Sequence, residues 1–248
     1  MTLEKYLNKK LNIDDEHTKE IMSLVNKYKR VKEKKKLNIK IPKYSLGEEL
    51  FNSISHGTGA LAAVAYLVLM VIKARGPLAV TTVSLFGSAM IILYTLSCIY
   101  HALSPQLEGK KVLRVLDHCN VYLLVFGTYI PVALLGVGGA LGWVLFGIVA
   151  AVTVLGIVFT SIGIDKYQVL EVICHLINGW SILFGISKLL NSMGNIGVLF
   201  LLIGGIVYTI GSVLYGVGSK KKFIHSVFHI FCIIGTLLHF FAIYLYLL

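Results

Sequence analysis

Lys220-Lys-Lys-Phe-Ile-His225-Ser-Val-Phe-His229, followed by Ile230-Phe-Cys-Ile-Ile-Gly-Thr-Leu-Leu-His239-Phe-Phe-Ala-Ile-Tyr-Leu-Tyr-Leu-Leu248, ends the chain. An apolar run of this length reads as a membrane helix, which needs about 20 residues to cross a bilayer. Lysine marks the cytoplasmic end of such a helix, and here three lysines stand at its start. His225 and His229 are four apart, so on a helix their imidazoles project from one face, about one turn apart. Two His at this spacing is a common way to build a metal site on a helix. The rest of the chain is then read for a third ligand.

Working back from this stretch, six more apolar spans come into view. With the last they lie at residues 49–72, 78–103, 115–135, 139–162, 169–190, 197–217 and 224–247. Of the 248 residues 56% are hydrophobic and 14% charged, against about 45–50% and 25% in soluble domains. The fold predicted is all-α: a polytopic, seven-transmembrane helix bundle over residues 48–248, in the plasma membrane, behind a basic tail over residues 1–47. The first apolar run starts near Leu50, after a basic segment too long for a signal n-region, so no cleaved leader is expected.

The tail holds 13 of the 23 Lys and Arg, most densely over residues 27–36. Leu3, Leu7 and Leu11, then Ile21, Leu24 and Val25, allow two short amphipathic helices lying on anionic inner-leaflet lipids. Plain disorder is the alternative. The net charge of +11 does not point to nucleic acid, because the lysines are not interleaved with stacking aromatics. The tail and the loops after spans two, four and six carry 20 of the 23 basic residues. The positive-inside rule then puts the N-terminus in the cytoplasm and the C-terminus outside, which an odd number of spans requires. The four cysteines have no CxxC spacing and read as small buried side chains. In span six, Gly197, Gly204, Gly211 and Gly218 repeat every seven residues, a seam that lets a neighbouring helix approach closely.

The polar residues of the spans gather at one end. Under this topology His56, His101, His118, His175, His225 and His229 fall in the cytoplasmic half, as do Glu49, Asp117 and Glu171. His239 alone lies deep and is expected to bond across helices, while His17 belongs to the solvated tail. Each ionisable group in a membrane costs about 2.5–3.5 kcal/mol, so such groups face a cavity or a partner. Ser97 and His101, Asn52 and His56, and Glu171 and His175 are spaced i,i+4, with Glu49 a turn behind Asn52. Glu171 and His175 read as a buried ion pair, with a ligand role as the alternative.

Five ordered motifs make the reading specific. They are Glu49-Leu-Phe-Asn52-Ser-Ile-Ser55-His56; Ser97-Cys-Ile-Tyr-His101; Leu116-Asp117-His118; Phe126-Gly-Thr-Tyr-Ile-Pro131; and His225-Ser-Val-Phe-His229 with His239-Phe240. From about residue 45 to the C-terminus the chain resembles the hemolysin III family, bacterial relatives of the progestin and adipoQ receptors. The resemblance implies seven helices with the N-terminus inside and a Zn2+ ion near the cytoplasmic face. Its ligands would be His101, His225 and His229, and the family's motif Ser and Asp correspond to Ser97 and Asp117.

Three neutral imidazoles with an open fourth position is the pattern of a catalytic zinc site. Asp117 is the candidate to hold or deprotonate water, and Ser97 to orient it or steady an oxyanion. Glu49, Asn52, His56 and His118 are candidates to fix the ligands' tautomers. A site opening inside a bilayer has lipids as its obvious substrates. The leading reading is a zinc-dependent hydrolase of a lipid amide or ester, as ceramidase-like receptor relatives suggest. A pore-forming hemolysin and a receptor or sensor with structural zinc are the alternatives. No inverted repeat and no helix interrupted at the midplane is expected, which argues against a transporter.

Overall fold

The computed structural model describes residues 1–34, 39–218 and 221–248. Lys35 and Lys36 of the basic run, and Lys220, lie outside the described residues. The chain divides into two units, Met1–Asn38 and Ile39–Leu248.

The first unit contains α1 (Leu3–Lys10) and α2 (Asp15–Lys34), so the tail carries ordered helices. The Thr2 hydroxyl accepts from the Lys5 N–H at the start of α1, and the Asp14 carboxylate accepts from the His17 N–H at 2.8 Å at the start of α2. The two helices are tied by the Asn8 amide, which donates to Asp15 at 2.9 Å, and Leu7 and Thr18 are buried.

The second unit is all-helical. It comprises α3 (Leu46–Lys73), α4 (Pro77–Ala102), α5 (Glu108–Pro131), α6 (Gly139–Gly163), α7 (Gln168–Trp180), α8 (Ile186–Gly218) and α9 (Ile224–Tyr246). Each helix packs on the next, and α9 packs back on α3, closing a ring. Among the described residues, six stretches are long and apolar enough to cross a membrane: Leu46–Lys73, Pro77–Ala102, Glu108–Val137, Gly139–Gly163, Gln168–Gly216 and Ile224–Tyr246. The outward surface is apolar: Leu61, Ile72, Ile162, Val169 and Phe184 are each at least 70% exposed. Such a contiguous apolar exterior belongs in lipid rather than water, and the chain is a multi-pass membrane protein.

Gln168–Gly216 is 49 residues long, about 74 Å if it were one straight helix, against a hydrocarbon core of about 30 Å. It is not straight. Gly194 takes φ 67° and ψ 176°, outside helical space. The indole N–H of Trp180 donates to the Thr209 hydroxyl at 3.1 Å, across 29 residues of chain. A straight helix would hold those groups about 43 Å apart, so the chain doubles back at Gly194.

Two of the helices leave α-geometry where they end. After Pro131, α5 passes into a π-helical turn, Val132–Val137, and α7 passes into a 3-10 turn, Ser181–Gly185. Backbone that leaves α-geometry inside a membrane must find other partners. Tyr129 supplies them. Its hydroxyl accepts from the Ile182 N–H at 2.6 Å and donates to the Gly179 carbonyl at 3.1 Å.

The glycine seam has its partner in α9. A Cβ at Gly204 would stand 2.4 Å from the His239 ring, and one at Gly218 would stand 3.1 Å from the His225 backbone. His239 bonds across helices as expected, with its Nε2 3.2 Å from the Leu201 carbonyl.

Two contacts fix α9 against α3. At their starts, the Ser45–Glu48 capping box leaves Glu48 Oε1 free to accept from the Phe223 N–H at 2.7 Å. At their far ends, Lys73 donates to the Tyr244 carbonyl. Neighbours that meet start to start and end to end run parallel.

Candidate metal centre

His101 lies in the last turn of α4, and His225 and His229 in the first two turns of α9. The i,i+4 spacing delivers the α9 pair to one side, and the packing of the helix ring brings His101 to meet them. All three are buried, and one ligand nitrogen from each lies within 4.8 Å of the others. Nitrogens bound at 2.0–2.1 Å to a common tetrahedral ion stand about 3.4 Å apart, so a small closure of side chains would complete the site.

The nitrogens behave as ligands in waiting. His101 Nδ1 donates to Glu49 Oε2 at 2.7 Å, which leaves the Nε2 lone pair free, and Nε2 has no hydrogen-bond partner among the described residues. His225 Nε2 and His229 Nε2 face each other at 3.2 Å. Two lone pairs pointed at each other and at a third are repulsive unless a cation or proton lies between them. The donor set of three imidazoles therefore fits a borderline-soft divalent ion.

Glu49 is itself held. Its Oε1 accepts from Lys110 Nζ at 2.5 Å, and Lys110, wholly buried, also donates to the Leu103 carbonyl at 2.8 Å. Asn52 is buried with its amide nitrogen 3.5 Å from His101 Nδ1, whose proton is already given to Glu49, so it packs beside the ring without bonding to that nitrogen. His56 stacks on His229 with ring centroids 3.8 Å apart, and Tyr44 stacks on His225 at 4.9 Å. Ser97 lies one turn before His101, and it and Asp117 of α5 line the same cavity.

His118, Glu171 and His175 do not join the three-histidine cluster. His118 Nδ1 is 3.0 Å from Glu171 Oε1 and 3.0 Å from the Tyr215 hydroxyl. The expected Glu171–His175 ion pair is corrected: Glu171 pairs with His118 instead, and His175 lies flat on Tyr122 at 3.8 Å. An i,i+4 spacing puts two residues on one face of a helix, but a neighbouring helix can present a better-aimed partner to either. Among the described residues, the metal-capable convergence is that of His101, His225 and His229.

Three contributors escape the sequence. Lys110 sits in a stretch that reads as a topology charge, Tyr44 in a stretch that reads as tail, and Tyr215 in one that reads as an interfacial anchor. The Lys110 signal was available in part, since a basic residue next to a membrane cluster of acids is a natural counter-charge. Nothing in the spacing reveals Tyr44.

A cavity of about 120 Å3 opens from the cluster into the bundle. His56, Ser97, Asp117 and His229 form its polar end, and residues such as Val132 and Leu201 its apolar depth.

The family described as Haemolysin-III related matches residues 44–240. Hemolysin-3 of Bacillus cereus is 33% identical over 205 residues, covering 81% of this chain and 92% of that protein. The Hemolysin-3 homolog of Bacillus subtilis is 31% identical over 206 residues, 82% of this chain and 96% of that protein. The Monocyte to macrophage differentiation factor of Homo sapiens is 25% identical over 174 residues, 67% of this chain and 70% of that protein.

Proposed function

From a chain that belongs to the hemolysin III family, within the progestin and adipoQ receptor superfamily, we propose an intramembrane, zinc-dependent hydrolase of a lipid amide or ester bond. It has seven spans, with the N-terminus inside and the C-terminus outside. The observation that carries the reading is the buried convergence of His101, His225 and His229 at the polar end of an apolar cavity that also exposes Ser97 and Asp117. Parallel packing of α3 and α9 and the reversal at Gly194 support an odd number of spans.

When bound, zinc supplies Lewis acidity, which polarises a carbonyl and makes water a usable nucleophile near neutral pH. The chain does the rest. Glu49 holds the His101 ring in the tautomer whose Nε2 faces the site, and Lys110 holds Glu49. His56 buttresses His229 by stacking. Asp117 takes the proton of the attacking water, and Ser97, in the lining of the same cavity, orients that water. The apolar depth of the cavity seats an acyl chain. The helices α1 and α2 rest on anionic lipid headgroups.

The test incubates purified, zinc-loaded protein with lipid amides and esters. Turnover is expected, and Asp117→Ala should abolish it with zinc content unchanged. Turnover no greater than that of Asp117→Ala ends the hydrolase reading. The relatives' name, Hemolysin-3, favours a second reading, lysis of a membrane. Dye release from vesicles that survives Asp117→Ala would support it.

A further inference from the structure

Hydrolysis inside a bilayer needs a supply of water as well as a seat for the lipid. Each bond cleaved consumes one water: its oxygen ends on the acyl carbon, one proton completes the departing amine or alcohol, and the other is released. The main cavity presents mostly apolar surface.

Adjoining it, and sharing Asp117, His175 and Ser212 with it, is a second cavity of about 50 Å3, between α5, α7, α8 and α9. Asp117, His118, Glu171, His175, Ser212 and Tyr215 line it. Glu171 is only 5% exposed, and its Oε1 is taken by His118. Its Oε2 and both ring nitrogens of His175 are buried without a hydrogen-bond partner among the described residues. An unsatisfied buried polar atom costs about 1–3 kcal/mol, and more when charged. Three around one small space are tenable only if something there bonds to them. The volume suits about three or four waters and is too small for a lipid headgroup or acyl chain. It is not a metal site, because no three ligand-bearing side chains converge there as they do at His101.

We propose that this chamber holds ordered water, bridging Glu171, His175 and Tyr215, and feeds it to Asp117, which borders both cavities. Glu171 is its positioning residue: Oε2 anchors the waters, and the His118–Tyr215 link holds the carboxylate in place. The supply role rests on the hydrolase reading; the water content does not.

The full chain, zinc-loaded in lipid nanodiscs, is given a brief X-ray pulse that turns bound water into hydroxyl radicals, and side-chain oxidation is read by mass spectrometry. His175 and Tyr215 are expected to oxidise well above Tyr94, which is 2% exposed and lines neither cavity. Glu171→Leu should lose that labelling and lower kcat about tenfold at unchanged KM, with zinc content retained. Glu171→Gln, which keeps a polar group, should restore most of the labelling. His175 and Tyr215 oxidising no faster than Tyr94 in the unsubstituted protein overturns the proposal, whatever the turnover and whether or not the variants fold. Labelling and kcat both unchanged in Glu171→Leu also overturns it. A labelled chamber in a protein that turns over no lipid removes the hydrolase reading and the supply role with it.

Discussion

Lys110 gives the site its sharpest test at the level of one side chain. It is wholly buried and joins Glu49 on the side opposite His101. Lys110→Met would leave the Glu49 carboxylate without the cation on its Oε1, in a site where its side chain is 12% exposed. A partner behind a metal ligand is worth about 10–100-fold in metal affinity, and a loss of that size is expected in a chelator competition. Asp165, in the loop between α6 and α7, makes a pH-dependent prediction. Burial alone would raise its carboxyl. The Arg114 guanidinium at 2.8 Å and the Lys40 N–H at 3.2 Å outweigh burial and hold it below the usual carboxylate range. A lowered native pKa contributes stability that is present above the unfolded value of about 3.9 and is lost as pH falls through the native value. Asp165→Asn should therefore lower Tm at neutral pH and leave it unchanged at a pH below the native value. The loss should be under about 1 kcal/mol, since solvent screens a carboxylate whose side chain is 37% exposed.

Among the elements, the α8–α9 seam makes the clearest prediction. Gly204 is where α8 meets the His239 ring, and any side chain there overlaps it. Gly204→Leu should cost about 1–3 kcal/mol by forced repacking and should loosen zinc, because α9 carries two of the three ligands. Gly216→Ala, with nothing within 4 Å of its added Cβ, should be neutral. Detergent-resistant Tm and zinc content, measured together, separate the two. This seam was legible because a seven-residue repeat of glycine leaves a physical trace in sequence, a flat stripe on one helix face. The interruption at Ser181–Gly185 was not legible. Its freed N–H is satisfied by Tyr129, some 50 residues earlier in the chain, and no local pattern encodes that rescue. The pairing of Glu171 was misread for a related reason. Spacing fixes the face of a helix, while the rotation of its neighbours decides which residue that face meets.

For the whole molecule, the helical class was legible because a bilayer leaves the backbone few other ways to satisfy itself. The three-histidine cluster was legible because each member stood near the end of its apolar run expected to face the cytoplasm and resembled a family motif. Tyr44 and Lys110 were not, since their burial comes from the closed ring and not from their own neighbours in sequence. Ring closure also yields the last prediction, the sidedness of the termini. The α3 helix is the first crossing, and α9 touches it at both ends in the same sense, through Glu48 with the Phe223 N–H and through Lys73 with the Tyr244 carbonyl. Two parallel crossings must be separated by an odd number of others, so α9 is an odd-numbered crossing. Counting Gln168–Gly216 once makes α9 the sixth and breaks that parity. Counting it twice, once on each side of the turn at Gly194, makes α9 the seventh, as the proposed topology has it. A reporter fused after Leu248 that folds only outside the cytoplasm should therefore be active, and one fused before Met1 should be silent. Equal activity at both ends would mean an even number of crossings. The parallel contact of α3 with α9, on which His225 and His229 depend to reach His101, could not then form in the membrane.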